Sequence, residues 1–275
     1  DDQNISIIHN TLDTRVEKFN LRPPEFVKIA SKNDDQLNGA IFFPDESFGE
    51  GPHPTILYVY GGPHAQLVTN SWNLTASLRI QYLREQGYLV FVLDNRGSAR
   101  QGLLFESHIK NRMGSVEIED QLSGIEWLIK KGYSDQSKIG VYGWSYGGYM
   151  ALMCLAQVPE VFKVAVAGAP VTSWDGYDTH YTERYMGTPV SNPDGYVNSS
   201  VMEYASNIRG ELMLIHGLID ENVHFRHSAR LINTLISFNK KYDLVLFPKE
   251  RHMPRRQSDR TYLETRLTEF FKKYL

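Results

Sequence analysis

The clearest scarcity in this chain is cysteine, with one in 275 residues. Cys154 has no partner for a disulfide within the chain, which excludes the cross-linked scaffolds of small secreted domains. Its place on an apolar helical pattern reads as a core thiol rather than a nucleophile. No stretch approaches the roughly 18 consecutive apolar residues a membrane helix needs, and no signal-peptide pattern follows Asp1. Charge of one sign is scarce too. A formal net charge of −3 argues against a nucleic-acid partner, and the basic residues Lys249, Arg251, Arg255 and Arg256 read as a solvated loop. His, Cys and carboxylates never gather at metal-ligand spacing, so neither a metal nor another cofactor is expected, and Glu119-Asp120 reads as a solvated helix face. Internal repeats and low-complexity tracts are missing as well. What remains is 41% hydrophobic over 275 residues, enough for one large domain with a substantial core.

What is present is a strand and helix alternation. Phe26–Ala30, Gly39–Phe43, Thr55–Tyr60, Tyr88–Leu93, Lys138–Tyr142, Lys163–Gly168, Glu211–His216 and Tyr242–Phe247 read as strands. Several are nearly continuous apolar runs, as parallel strands covered on both faces should be. Helical patterns fall around Leu74–Gln86, Glu117–Lys131, Tyr149–Ala156, His227–Phe238 and Asp259–Leu275. The last of these places Leu263, Leu267, Phe270, Phe271 and Tyr274 along one stripe, enough to dock on a sheet. The expectation is an α/β fold of the α/β-hydrolase kind, a mostly parallel eight-stranded sheet with helices on both faces. The first two strands have no helix between them and are expected to pair antiparallel at an edge.

The motif that carries chemistry is Gly143-Trp144-Ser145-Tyr146-Gly147, between the strand ending at Tyr142 and the helix beginning near Tyr149. That is the setting of a nucleophile elbow, in which a strained strand-to-helix turn exposes a serine hydroxyl and flanking glycines let strand and helix approach closely. A serine hydroxyl needs an imidazole to take its proton and a carboxylate to orient the imidazole. In the chain order Ser, acid, His, the loop after the strand ending at His216 offers Asp220, with Glu221 as the alternative. Asp220 is preferred because a short carboxylate on a tight turn is more easily fixed. The loop after the final strand offers His252, which competes with His216, His224 and His227; His216 also reads as a satisfied core imidazole. The oxyanion donors are the backbone N–H of Tyr146 and, at the turn Tyr60-Gly61-Gly62-Pro63 after another strand, the Tyr60 phenol; a plain capping turn is the alternative there.

Those motifs, with Asp94-Asn95-Arg96-Gly97-Ser98, Tyr181-Thr182-Glu183-Arg184-Tyr185-Met186-Gly187 and Asp220-Glu221-Asn222-Val223-His224-Phe225, resemble the catalytic domain of the dipeptidyl peptidase IV family of the prolyl oligopeptidase clan of serine peptidases. The likeness runs from about Pro54 to the C-terminus. Ala167-Gly168-Ala169-Pro170-Val171-Thr172 and Glu250-Arg251-His252 look closest to its cytosolic branch, dipeptidyl peptidases 8 and 9. The resemblance implies a pocket for a penultimate proline or alanine walled by Tyr146, Val171, Trp174, Tyr177, Tyr181 and Val223, with Asn222 and Arg184 near the P2 carbonyl. It also implies peptide substrates with N-terminal Xaa-Pro or Xaa-Ala, a homodimer in the full-length protein, and an N-terminal β-propeller that this chain does not supply. Residues 1–53 then read as a lead-in with the first edge strands, and 54–275 as the catalytic core. Extracellular relatives have a cysteine where Lys163 stands, so the cytoplasm is expected. Three N-x-S/T triplets, at Asn4, Asn73 and Asn198, count weakly against that. Alternatives on the same scaffold are an acylaminoacyl peptidase, a prolyl endopeptidase or a carboxylesterase. A non-catalytic interaction protein is disfavoured because serine, acid and histidine are all present.

Overall fold

A computed structural model describes residues 16–275; the Asn4 triplet lies outside them. Eight strands form one sheet: β1 (Glu25–Ala30), β2 (Gln36–Phe42), β3 (His53–Val59), β4 (Leu89–Asp94), β5 (Ser134–Trp144), β6 (Val164–Gly168), β7 (Glu211–Gly217) and β8 (Asp243–Phe247). Their order is β1-β2-β4-β3-β5-β6-β7-β8. β1 pairs antiparallel with β2, and β2 with β4; every other neighbour is parallel. Antiparallel pairing of the first two strands matches the sequence reading, and this is the α/β-hydrolase fold.

The near-continuous apolar runs are explained by two cores, one on each face of the sheet. Along β4, Leu89, Phe91 and Leu93 enter one core while Val90 and Val92 enter the other; β7 divides Leu212 and Leu214 from Met213 and Ile215 in the same way. Period-2 alternation is present, but both faces are apolar, so no polar stripe reveals it. The first core is closed by helices Val116–Lys130, Tyr146–Gln157 and Arg226–Ser237, the second by Leu78–Glu85 and Gln257–Tyr274. The C-terminal stripe docks as expected, with Leu263, Leu267, Phe270 and Phe271 buried. Phe271 packs so close to Gly140 that a Cβ there would meet it at 2.9 Å.

Three expectations need correction. The helix read as Leu74–Gln86 is two helices, Trp72–Thr75 and Leu78–Glu85, because Ser77 takes an extended backbone (φ −66°, ψ 95°) and starts the second. Helix Thr179–Met186 was not anticipated; Asp178 caps it by accepting the Tyr181 N–H at 2.9 Å. Its apolar members are two tyrosines and the terminal Met186, which give little helical contrast in a polar stretch. Asp120 is not on a solvated face. It is fully buried, and its carboxylate accepts from Arg96 Nη2 at 2.7 Å, Arg96 Nε at 3.0 Å and the Arg96 backbone N–H at 2.8 Å, whereas Glu119 is half-exposed. The chain spacing that suggests an exposed acidic pair carries no information about a buried arginine 24 residues earlier.

Candidate active site

Six parallel strands deliver their C-terminal loops to one edge of the sheet, where open α/β folds bind ligands. Tyr60 follows β3, Ser145 follows β5, Val171 and Trp174 follow β6, Asp220 and Asn222 follow β7, and His252 follows β8. A cleft of about 380 Å³ at that edge is lined by Tyr60, Trp144, Ser145, Tyr146, Val171, Trp174, Tyr177, Tyr181, Asn222, His252 and Met253.

Ser145 has φ 62° and ψ −118°, a conformation that costs a non-glycine residue of order 1–3 kcal/mol. The surrounding backbone holds it there: its N–H donates to Gly168 O at 2.8 Å and its carbonyl accepts from Tyr149 N at 3.0 Å. Glycine is required on either side by close approach. A Cβ on Gly143 would lie 2.1 Å from Gly147 O, and one on Gly147 would lie 2.3 Å from Val59 O. Tyr146 is the first residue of the helix Tyr146–Gln157, so its N–H has no acceptor within that helix.

Asp220 is buried, and its Oδ1 accepts the backbone N–H groups of Asn222 and Val223, each at 2.9 Å. Its Oδ2 accepts from His252 Nδ1 at 2.8 Å and lies 3.4 Å from His216 Nε2. Burial alone pushes this carboxyl up, but the bonds from His216, His252 and the backbone outweigh it and hold it well below the ordinary carboxylate range. An ionised Asp220 fixes the proton of His252 on Nδ1 and leaves Nε2 as an acceptor. Trp144 Nε1 donates to His252 O at 2.8 Å and so ties the histidine loop to β5. The indole reaches across Gly168, whose Cβ, if present, would sit 1.9 Å from the ring.

The competing residues are occupied elsewhere. Glu221 is exposed and pairs with Arg251 at 2.9 Å. His216 is fully buried, with Nε2 donating to Val223 O at 2.8 Å and Nδ1 bonded to Ser228 Oγ at 2.7 Å. His227 is buried, Nδ1 accepting from Thr172 N at 3.2 Å and Nε2 donating to Gly176 O at 3.1 Å; burial pulls its pKa down to about 4. His224 is exposed and outside the cleft lining.

The aromatic wall centres on Trp174, only 1% exposed, with ring centroids 5.2 Å from Tyr146, 5.9 Å from Tyr177 and 6.1 Å from Tyr181, the last stacked at 22°. Tyr177 donates its hydroxyl to Asn222 Oδ1 at 2.6 Å, which leaves the Asn222 amide donors uncommitted. Tyr60 is half-buried, and burial, followed by the nearby Tyr185, raises its pKa and keeps the phenol a donor at neutral pH. Two residues expected at the pocket stand outside its lining. Val223 is buried behind it, holding Asp220 through its N–H; Arg184 is exposed and bonds His180 Nε2 at 2.8 Å. Trp144, inside the elbow motif, and Met253, next to His252, line the cleft without having been named as pocket residues from the sequence.

A serine that shares an aromatic cleft with a carboxylate-held histidine, on an α/β-hydrolase sheet, is the equipment of a hydrolase of acyl compounds. The sequence profile of the Prolyl oligopeptidase family matches residues 74–275, and the chain belongs to that family. It is 42% identical over 257 residues to dipeptidyl peptidase 8 of Homo sapiens, covering 92% of this chain and 29% of that protein. Against dipeptidyl peptidase 4 of Sus scrofa it is 37% identical over 257 residues, 90% of this chain and 33% of that one. The crystal structure of a protein from Bacteroides ovatus, assigned as a dipeptidyl aminopeptidase IV, superposes with a TM-score of 0.88 at 36% identity, covering 92% of this chain and 36% of that one. The chain thus spans about a third of the length of these relatives. Among the described residues no helix is long and apolar enough to cross a membrane.

Proposed function

We propose that this chain is the catalytic part of a serine dipeptidyl peptidase that releases Xaa-Pro, or Xaa-Ala, from peptide N-termini. The observation that carries it is Ser145, at positive φ on the wall of an aromatic cleft that it shares with an Asp220-held His252. Ser145 Oγ attacks the scissile carbonyl and passes its proton to His252 Nε2, while Asp220 stabilises the imidazolium that forms. The oxyanion is met by the Tyr60 hydroxyl and the Tyr146 N–H. His252 then gives the proton to the leaving amine, and the bond from carbonyl carbon to nitrogen breaks, leaving an ester on Ser145. A water deprotonated by His252 hydrolyses that ester, which restores the serine.

Tyr146, Val171, Trp174, Tyr177 and Tyr181 form the pocket for the proline ring, whose flat apolar faces suit aromatic walls. Asn222 is proposed to hold the P2 carbonyl through its free amide donors, and Val223 to act as a support for Asp220. Arg184 remains a proposed P2 contact on the strength of the family motif alone. In the division we propose, residues 1–53 lead into a core of 54–275, and a further domain of the full-length protein, with a β-propeller, grips the substrate amine. A cytoplasmic location is supported by the likeness to dipeptidyl peptidase 8 and by the single, buried, free cysteine. A homodimer of the full-length protein fits exposed Leu246 on the edge strand β8 and exposed Ile236 and Phe238 in the segment before it; sedimentation of that protein tests it.

The primary test is labelling with a fluorophosphonate, with Ser145→Ala as control, followed by assay of a Gly-Pro chromogen against a simple ester. Labelling that depends on Ser145 with turnover of the proline substrate is expected. Equal labelling of the alanine variant would overturn the assignment of the nucleophile, and ester turnover without any preference for proline would favour a carboxylesterase.

A further inference from the structure

The mechanism above makes no use of Glu117, although this buried carboxylate bonds the side chain of Tyr146, the residue after the nucleophile. It is fully buried in the first turn of helix Val116–Lys130. No lysine, arginine or histidine lies within ion-pair distance of it among the described residues, so its burial is not offset by a cation. Its oxygens instead accept the Gly114 N–H at 3.0 and 2.9 Å, the Ser115 N–H at 3.2 Å and the Tyr146 hydroxyl at 2.6 Å. Burial pushes this carboxyl up, and the Tyr146 bond is the largest influence opposing that. Two of the three donors belong to its own turn; the third is the residue beside the nucleophile.

The anchor itself is rigid. Gly114 has φ 79°, and a Cβ there would sit 1.8 Å from Tyr149 Oη, so the turn that carries Glu117 is packed against the helix Tyr146–Gln157. Tyr146, which lines the cleft, is only 2% exposed. Its ring is flanked by Trp174 at 5.2 Å, Tyr149 at 5.4 Å and Tyr60 at 6.0 Å. Such contacts restrain the tilt of a ring more than its travel along its own long axis. The bond at the far end of that axis removes the remaining freedom, and it does so without touching the backbone N–H proposed for the oxyanion.

We infer that Glu117 is a positioning residue that fixes the depth of the acyl pocket through the Tyr146 hydroxyl and thereby sets its preference for a proline-sized ring. This rests on the peptidase reading above. A pocket wall displaced by a fraction of an ångström leaves a small acyl group its contacts with Ser145 but spoils those of a ring that must fill the space.

The experiment compares two irreversible probes of Ser145 in the whole chain: a diphenyl phosphonate bearing a proline ring, and an ethyl fluorophosphonate that leaves the pocket empty. Glu117→Ala is expected to slow the proline probe by about tenfold or more, with the ethyl probe within about threefold. Glu117→Gln should stay close to wild type on both, because its amide oxygen accepts the turn N–H groups and its amide nitrogen donates to the Tyr146 hydroxyl. Tyr146→Phe removes the same bond from the ring side and is expected to lower the proline-to-ethyl ratio as Glu117→Ala does, which keeps the test valid if the alanine variant fails to fold. An unchanged ratio in Tyr146→Phe, a parallel fall of both probes in a folded Glu117→Ala, or a Gln variant as impaired as the Ala variant would each overturn the inference. Failure of the ethyl probe to label wild-type Ser145 would instead sink the peptidase reading, and this inference with it.

Discussion

At the residue scale, the proposed chemistry depends on Asp220 remaining ionised inside the protein. Its four surrounding donors are two backbone N–H groups, His252 and, at 3.4 Å, His216, and none of them is a permanent cation. Asp220→Asn keeps an oxygen for the backbone donors but offers His252 a neutral partner, so kcat should fall by about 10⁴-fold while the fold survives. Steady-state kinetics beside a circular dichroism spectrum measures both. Stability follows the same bonds with a definite sign. Because the folded carboxyl titrates well below its unfolded value, its contribution is complete above about pH 4 and is lost as the pH falls through the folded value. Thermal melts of wild type and Asp220→Asn should therefore differ most at neutral pH and converge in strong acid; parallel curves would contradict this. Sequence order and turn chemistry were enough to prefer Asp220 over Glu221. They were not enough to separate a wall of the pocket from a support behind it. Val171 and Val223 are both buried valines inside motifs of the same resemblance, and only the three-dimensional packing puts Val171 in the cleft lining and Val223 behind it on Asp220.

Elements place these residues by close backbone approach, and the elbow is where a single methyl group is most costly. A Cβ at position 143 would meet backbone atoms on two sides, Gly147 O at 2.1 Å and Val59 O at 2.7 Å, and neither can swing away as a side chain would. Gly143→Ala should cost about 2–3 kcal/mol and shift the urea midpoint accordingly; a cost below about 0.5 kcal/mol would mean that β5 and the helix separate more easily than their packing suggests. The loop after β3 depends on a different device. Asp94, at the end of β4, accepts the N–H groups of Leu67 at 2.8 Å and Val68 at 3.0 Å, and burial raises its carboxyl to about 6 in spite of those bonds. With the folded pKa above the unfolded one, the protonated form is favoured by folding. Asp94 therefore lowers stability as the pH rises from about 4 to about 6, and the stability of wild type relative to Asp94→Asn should decline across that window. Melting curves at half-unit steps check it. The strands were legible because eight apolar runs are bounded by turn residues, and the elbow because its glycines and serine sit between two of those runs. Short polar helices such as Thr179–Met186 were not, since their order comes from a cap and from the aromatic wall they complete rather than from an apolar stripe.

On the scale of the whole molecule, one sheet brings together residues that are far apart in sequence, 108 positions in the case of Trp144 and His252. The βα order made that convergence readable in outline, since loops after parallel strands share an edge. The buried polar links that hold the layers in place, Arg96 with Asp120 and Glu117 with Tyr146, had no periodic signal to betray them. The same convergence limits what the cleft can recognise. None of the residues lining it is a carboxylate, and Asp220 is already committed to histidine and backbone donors. A dipeptidyl peptidase needs to distinguish a free ammonium from a blocked amine, and hydrogen bonds to a charged group are worth about 1.5–3 kcal/mol, or roughly tenfold to a hundredfold in rate constant. The described residues hold no such group at the cleft, so this chain by itself should hydrolyse a free Gly-Pro chromogen and its N-acetyl counterpart with kcat/KM values within about threefold of each other. A protein that also carries the further domain proposed above should favour the free amine by tenfold or more. A strong preference already present in the 275-residue chain would mean that one of its own carboxylates reaches the substrate amine.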